Sequence, residues 1–203
     1  VGQVASSVTI SPTSKTFTSV GDTATLAATV KDAGGNTMSG ATVTWASSNT
    51  SYATVSSAGL VTSVADGSAT ITATSGSATK TASITVGQVA SSVTISPTSK
   101  TLTSVGDTVT LVATVKDAGG TAITGKTVTW EPQSSSIATV NSAGLVTGIG
   151  SGTQTITVFH VVDTLSTLSG TASITVPDFL LAANGVTITC SAASVGDTGA
   201  VGG

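Results

Sequence analysis

Gly2-Gln3-Val4-Ala5-Ser6-Ser7-Val8-Thr9-Ile10-Ser11-Pro12-Thr13-Ser14-Lys15-Thr16 and Gly87-Gln88-Val89-Ala90-Ser91-Ser92-Val93-Thr94-Ile95-Ser96-Pro97-Thr98-Ser99-Lys100-Thr101 are one sequence written twice. The identity runs on to Gly35 and Gly120, broken only by Phe17/Leu102, Ala24/Val109 and Ala27/Val112. The offset of 85 residues holds without a gap through Trp45/Trp130, Gly59/Gly144 and Ile71/Ile156. The copies then part by five residues, so that Ile84 answers to Ile174, and a longer loop from His160 is expected to absorb the insertion. A repeat of this length makes each copy a small domain with its own modest core.

Within a copy, short alternating runs are punctuated by Gly, Ser, Asn and Asp about every ten residues, the spacing of an all-β sandwich. The first copy offers strands over residues 8–10, 23–31, 42–46, 53–56, 60–63, 69–74 and 82–86. Alternation assigns their faces: Leu26 and Val30 look inward and Thr25 and Thr29 outward. Trp45 and Trp130 stand mid-strand and are expected to fill the space between sheets about 10 Å apart. Asp32-Ala33-Gly34-Gly35 and Asp117-Ala118-Gly119-Gly120 are turn sequences without the strand, helix or Lys-Ser/Thr context of a phosphate loop.

These motifs carry a resemblance. Val8-x-Ile10-x-Pro12, Val20-Gly21-Asp22-Thr23, Val43-Thr44-Trp45, Ala53-Thr54-Val55 and Gly59-Leu60-Val61-Thr62, with their second-copy counterparts, resemble the bacterial Ig-like domain family, group 2. Glu131-Pro132-Gln133 and the segment from His160 depart from the pattern. The expected fold is all-β: two tandem immunoglobulin-like β-sandwiches, 1–86 and 87–176, plus a short C-terminal β-hairpin segment within 177–203. The resemblance implies surface proteins, adhesins and virion appendages, and no catalytic residues.

The tail pairs Leu180-Leu181-Ala182 with Val186-Thr187-Ile188-Thr189-Cys190 around Asn184-Gly185, a type I′ turn signal. It is too short for a core, so it reads either as a strand-addition tail, with Leu180, Leu181, Val186 and Ile188 as contacts, or as the stump of a further domain. The segment is weakly similar to the modules that follow Ig-like domains in BspA-like bacterial surface proteins. Cys190, the single cysteine, reads as a small hydrophobe or an intermolecular bridge, since no intramolecular partner exists.

Charged residues make up 7% of the chain, with six Lys, no Arg and a net charge of −3, which argues against a nucleic-acid groove. Every apolar run is too short to span a bilayer, so direct membrane insertion is not expected. The chain opens at Val1 inside repeat-like sequence, so any secretion signal is expected upstream or removed.

Chemistry is sparse. His160 is the single histidine and lacks the companions of a zinc site or a Ser-His-Asp triad. Asp22, Asp32, Asp107 and Asp117 fall at sandwich ends, where they could hold calcium, but no Asp-x-Asp-x-Asp run accompanies them and turn capping is the reading preferred. Lys15 and Lys100 lack the Asn and acid of an isopeptide bond. Asp22-Thr23-Ala24, Asp107-Thr108-Val109 and Asp163-Thr164-Leu165 match a short O-glycosylation pattern at Thr23, Thr108 and Thr164. His160, Val161, Val162, Leu165 and Leu168 are expected to form an interaction loop, because the second copy has lengthened this segment and enriched it in apolar residues. No catalytic, cofactor or metal site is expected.

The function expected is a non-catalytic spacer and assembly unit of a bacterial cell-surface or extracellular filament or adhesin protein. Its partners would be other subunits, further domains of the same protein, or glycans. A phage virion decoration or tail protein and a carbohydrate-binding adhesin module are the alternatives.

Overall fold

The structure, a computed structural model, describes residues 4–162 and 166–178. The described residues form strands and no helix. In the first copy these are β1 (Ser7–Ser11), β2 (Ser14–Phe17), β3 (Thr23–Thr25), β4 (Ala27–Lys31), β5 (Thr44–Ser47), β6 (Ala53–Val55), β7 (Leu60–Ser63), β8 (Gly67–Ser75) and β9 (Ala78–Val86). The second repeats the order as β10 (Ser92–Ser96), β11 (Ser99–Thr101), β12 (Thr108–Thr110), β13 (Val112–Lys116), β14 (Thr129–Pro132), β15 (Ala138–Val140), β16 (Leu145–Gly148), β17 (Gly152–Val161) and β18 (Thr167–Val176).

Each copy therefore has nine strands where alternation suggested seven. One addition is β2, a polar run with little pattern of its own, which lies parallel to β9 with Lys15 opposite Ile84. The other comes from a break at Leu26. β3 pairs with β7 and β4 with β1, so the chain crosses from one sheet to another at that residue. Leu26 is 1% exposed, and its N–H donates to the Gly59 carbonyl at 2.9 Å. The sheet orders are β2-β9-β8-β5, β3-β7-β6 and β1-β4, and the second copy reproduces all three.

The inward residues of the four-stranded sheet, among them Ile71, Ala73, Ala82 and Ile84, join Val8, Ile10, Leu26, Val30 and Val61 in one core. A separate core in the second copy contains Val93, Ile95, Leu111, Val115, Val146, Ile156 and Ile174. Deep burial of so many β-branched side chains is what alternation on strands produces.

Two expectations need correction. Trp45 and Trp130 are half-buried and pack on the flank of their cores instead of filling the centre. The centre is already closed by aliphatic side chains, and each indole lies across a glycine: a Cβ on Gly59 would stand 3.0 Å from the Trp45 ring, and one on Gly144 the same from Trp130. The insertion, moreover, is not a simple loop. β17 runs unbroken to Val161 and pairs with β18 from Thr167, so the five extra residues lengthen a hairpin. Alternation continues through Val158, Phe159, His160 and Val161, and strand pairing follows it.

Candidate functional site at the domain junction

The two sandwiches meet through backbone groups, the Gln88 side chain and two carboxylates, Asp66 and Asp117. From the connector, the Gly87 N–H donates to the Phe17 carbonyl at 3.0 Å and the Val89 N–H to the Thr18 carbonyl at 2.9 Å. The intervening Gln88 N–H donates to Asp66 Oδ1 at 2.7 Å. These bonds continue the hydrogen bonding at the edge of the first sandwich into the connector and satisfy its backbone N–H groups.

Asp117, in the turn after β13, reaches back across the junction. Its Oδ2 accepts from the Val20 N–H at 3.0 Å and from the Gln88 side-chain amide at 2.8 Å. Its Oδ1 accepts from the Thr121 N–H at 2.8 Å within its own turn. The carboxylate is 2% exposed. Burial by itself would raise its pKa, but the donors from Gln88, Val20, Thr121 and Gly119 outweigh burial and hold the group below the ordinary carboxylate range. A buried anion surrounded by N–H donors from both domains is a latch.

Gly119 makes the approach possible. A Cβ there would lie 3.1 Å from the Val20 carbonyl and 3.5 Å from Ser19 Cβ. On the opposite side, the Ser63 hydroxyl donates to the Ser19 carbonyl at 2.8 Å and braces the loop that carries Val20. Ser19 and Ser63 are each 2% exposed.

Sequence reasoning placed Asp117 at a sandwich end, Gly119 in its turn and Val20 in a family motif, but gave none of them, nor Gln88 of the connector, a bonding role at the junction. The signal available was the connector itself, where a Gln with two amide donors stands within reach of an acidic turn. Among the described residues, no three His, Cys, Asp or Glu side chains gather as metal ligands. Asp107 acts as a turn cap: its Oδ2 accepts from the Thr103 hydroxyl, from the Thr103 N–H at 2.9 Å and from the Ser104 N–H at 3.0 Å. Those bonds, the Thr103 hydroxyl first, lower its pKa.

The remaining candidates scatter. His160 is 6% exposed, with Nδ1 2.8 Å from the Thr127 carbonyl. Val162 and Leu168 pack against the second core, and Val161 is 63% exposed. Thr23 and Thr108 are exposed at their strand starts. The Lys15 ammonium sits 5.7 Å from the centre of the Phe17 ring. Thr164, Leu165 and the tail residues Leu180, Leu181, Val186 and Ile188 lie outside the described residues. Beside each indole runs a shallow groove, lined in the first copy by Thr25, Val43 and Ala58 and in the second by Thr110, Val128 and Ala143.

Paired sandwiches with duplicated cores and a hydrogen-bonded junction define a tandem immunoglobulin-like protein. The family model for the bacterial Ig-like domain (group 2) matches twice, over residues 4–86 and 89–172, and the chain belongs to that family. No curated protein sequence matches it. Among solved structures, domains 1–6 of the surface layer protein SbsC are 22% identical over 87% of this chain, at a TM-score of 0.39. The chain spans 29% of that fragment's length. Domains 4 and 5 of the same protein are covered completely, at 22% identity over 86% of this chain and a TM-score of 0.40. Mouse cadherin-23 EC22-24 is 13% identical over 84% of this chain, with 64% of its own length covered and a TM-score of 0.43.

Proposed function

We propose that the chain is a non-catalytic structural module of a bacterial cell-surface or extracellular protein, in which sandwiches 1–86 and 87–176 form a rigid spacer that positions other domains or subunits. The observation that carries this reading is the Asp117 latch. A junction meant to swing freely would not bury a carboxylate, because desolvation costs several kcal/mol unless donors replace water. Here they do, and they come from both domains and the connector. The function is then to transmit orientation, which needs no reacting group.

Small-angle scattering from the full chain tests the reading. One fixed arrangement should account for the wild-type profile, and Asp117→Ala should convert it to a profile that requires a distribution of inter-domain angles. A wild-type profile that already requires such a distribution would remove the spacer reading.

A further inference from the structure

We propose that the groove beside Trp45 in the first domain binds a neutral saccharide, with a pyranose ring against the indole and its hydroxyls bonded to the backbone of Ala28. This site owes nothing to the Asp117 latch and adds a ligand to a domain otherwise read as a spacer.

The groove follows from the break at Leu26. β4 pairs with β1 along one edge. In an antiparallel strand the N–H and C=O of one residue point to the same side, and successive residues alternate sides. On the edge away from β1, the Leu26 N–H donates to the Gly59 carbonyl at 2.9 Å, and the Val30 carbonyl accepts from the Met38 N–H at 2.9 Å. Ala28 lies between these two and faces the same way. The turn between β6 and β7 closes at Gly59, and among the described residues no strand pairs with β4 on this side. The half-buried Ala28 therefore presents a donor and an acceptor side by side to the groove, where solvent or a ligand satisfies them.

The walls set the chemistry of that ligand. Thr25, Val43, Trp45, Ser57 and Ala58 line the groove, and no lining residue carries a charge, so an ionic ligand finds no counter-charge there. The Cζ2–Cε2 edge of Trp45 stands 3.0–3.1 Å from the place of a Cβ on Gly59, and the ring stays partly exposed along the groove. An added strand does not fit: the bonds at Leu26 and Val30 close the edge on both sides and leave one residue to pair with. A sugar does fit. Each hydroxyl both donates and accepts, as the Ala28 pair requires, and the C–H face of a pyranose supplies an apolar surface for the indole.

In the second domain the Leu111 N–H meets the Gly144 carbonyl at 2.9 Å and the Ile123 N–H meets the Val115 carbonyl at 2.8 Å, with Ala113 between. That likeness follows from the duplication. The second groove is smaller, about 250 Å³ against about 410 Å³, and Val112 lines it where Ala27 lines the first. The first groove is therefore the one assigned a ligand.

Titrating the nitrogen-15-labelled full chain with cellohexaose, maltohexaose and chitohexaose, followed by amide and indole N–H shifts, tests the assignment. At least one of the three should move the Ala28 amide and the Trp45 indole N–H together and saturably. Trp45→Phe keeps a ring beside Gly59 and should weaken the binding read at Ala28 at least about threefold, with the Ile71 amide unshifted as a control on the fold. If none of the three moves Ala28, if the shifts fall on other residues, or if Trp45→Phe binds as tightly as wild type, the groove is only the gap left where the chain changes sheets, and the inference is overturned. A neutral, acetylated and amidated hexapeptide of alternating Thr and Val is the competing occupant. Equal shifts at Ala28 from that peptide would assign the edge to peptide and overturn the saccharide assignment as well.

Discussion

Replacing Asp117 by Asn keeps the size of the side chain and removes one acceptor and the charge. In the native junction Oδ2 faces two donors, Val20 N–H at 3.0 Å and Gln88 Nε2 at 2.8 Å, while Oδ1 faces the Thr121 N–H at 2.8 Å. Whichever way the amide is turned, its NH2 group points at a donor. In either orientation the negative charge is gone, and with it the extra strength of the bonds across the junction. A hydrogen bond to a charged acceptor contributes about 1.5–3 kcal/mol, so the coupling between Asp117 and Gln88 should be of that size. Because each domain keeps its own core, the loss should appear as uncoupling more than as global unfolding. A double-mutant cycle of Asp117→Asn and Gln88→Ala isolates the pair. Each domain contains one tryptophan, so Trp45→Phe and Trp130→Phe backgrounds let urea unfolding be followed in one domain at a time. Additivity of the two changes within about 0.5 kcal/mol would refute the latch.

Gly59→Ala should destabilise the first domain by about 2 kcal/mol or more in urea unfolding, because Gly59 has φ +80° and a Cβ there would lie 2.4 Å from the Leu26 carbonyl. Ile71→Ala should cost about 2–5 kcal/mol of first-domain stability, Ile71 being fully buried; a loss below about 1 kcal/mol would contradict the core assignment. The folded pKa of Asp117 is depressed, so the unfolded state binds more protons as pH falls through the carboxylate range. Junction stability should therefore be complete above the unfolded carboxylate value and decline as pH falls through the folded one, with Asp117→Ala showing a smaller decline. Adding a chelator should leave the melting temperature unchanged, since amide donors, not a cation, neutralise the junction carboxylate.

Much of the fold was legible because the inward positions alternate with Thr along β8 and β9, and because Gly59 and Gly144 mark turns that permit only glycine. What escaped has particular causes. β2 is nearly all polar and is held by parallel pairing with a distant strand, which no local pattern reports. The break at Leu26 preserves inward and outward order on either side, so alternation continues smoothly through a change of sheet. At the junction the limit is sharper: Asp32 and Asp117 sit in identical pentapeptides, yet one is half-buried and the other 2% exposed. What separates them is the domain packed against the turn, information that lies outside the turn's own residues.

The central claim is that the two sandwiches hold one relative orientation through the Asp117 latch. Residual dipolar couplings collected for both domains of the full chain in one alignment medium test it most directly. The account predicts a single alignment tensor of common magnitude and axes for residues 4–86 and 89–172, separating into two tensors in Asp117→Ala. Two tensors of different magnitude in the wild-type chain would contradict it.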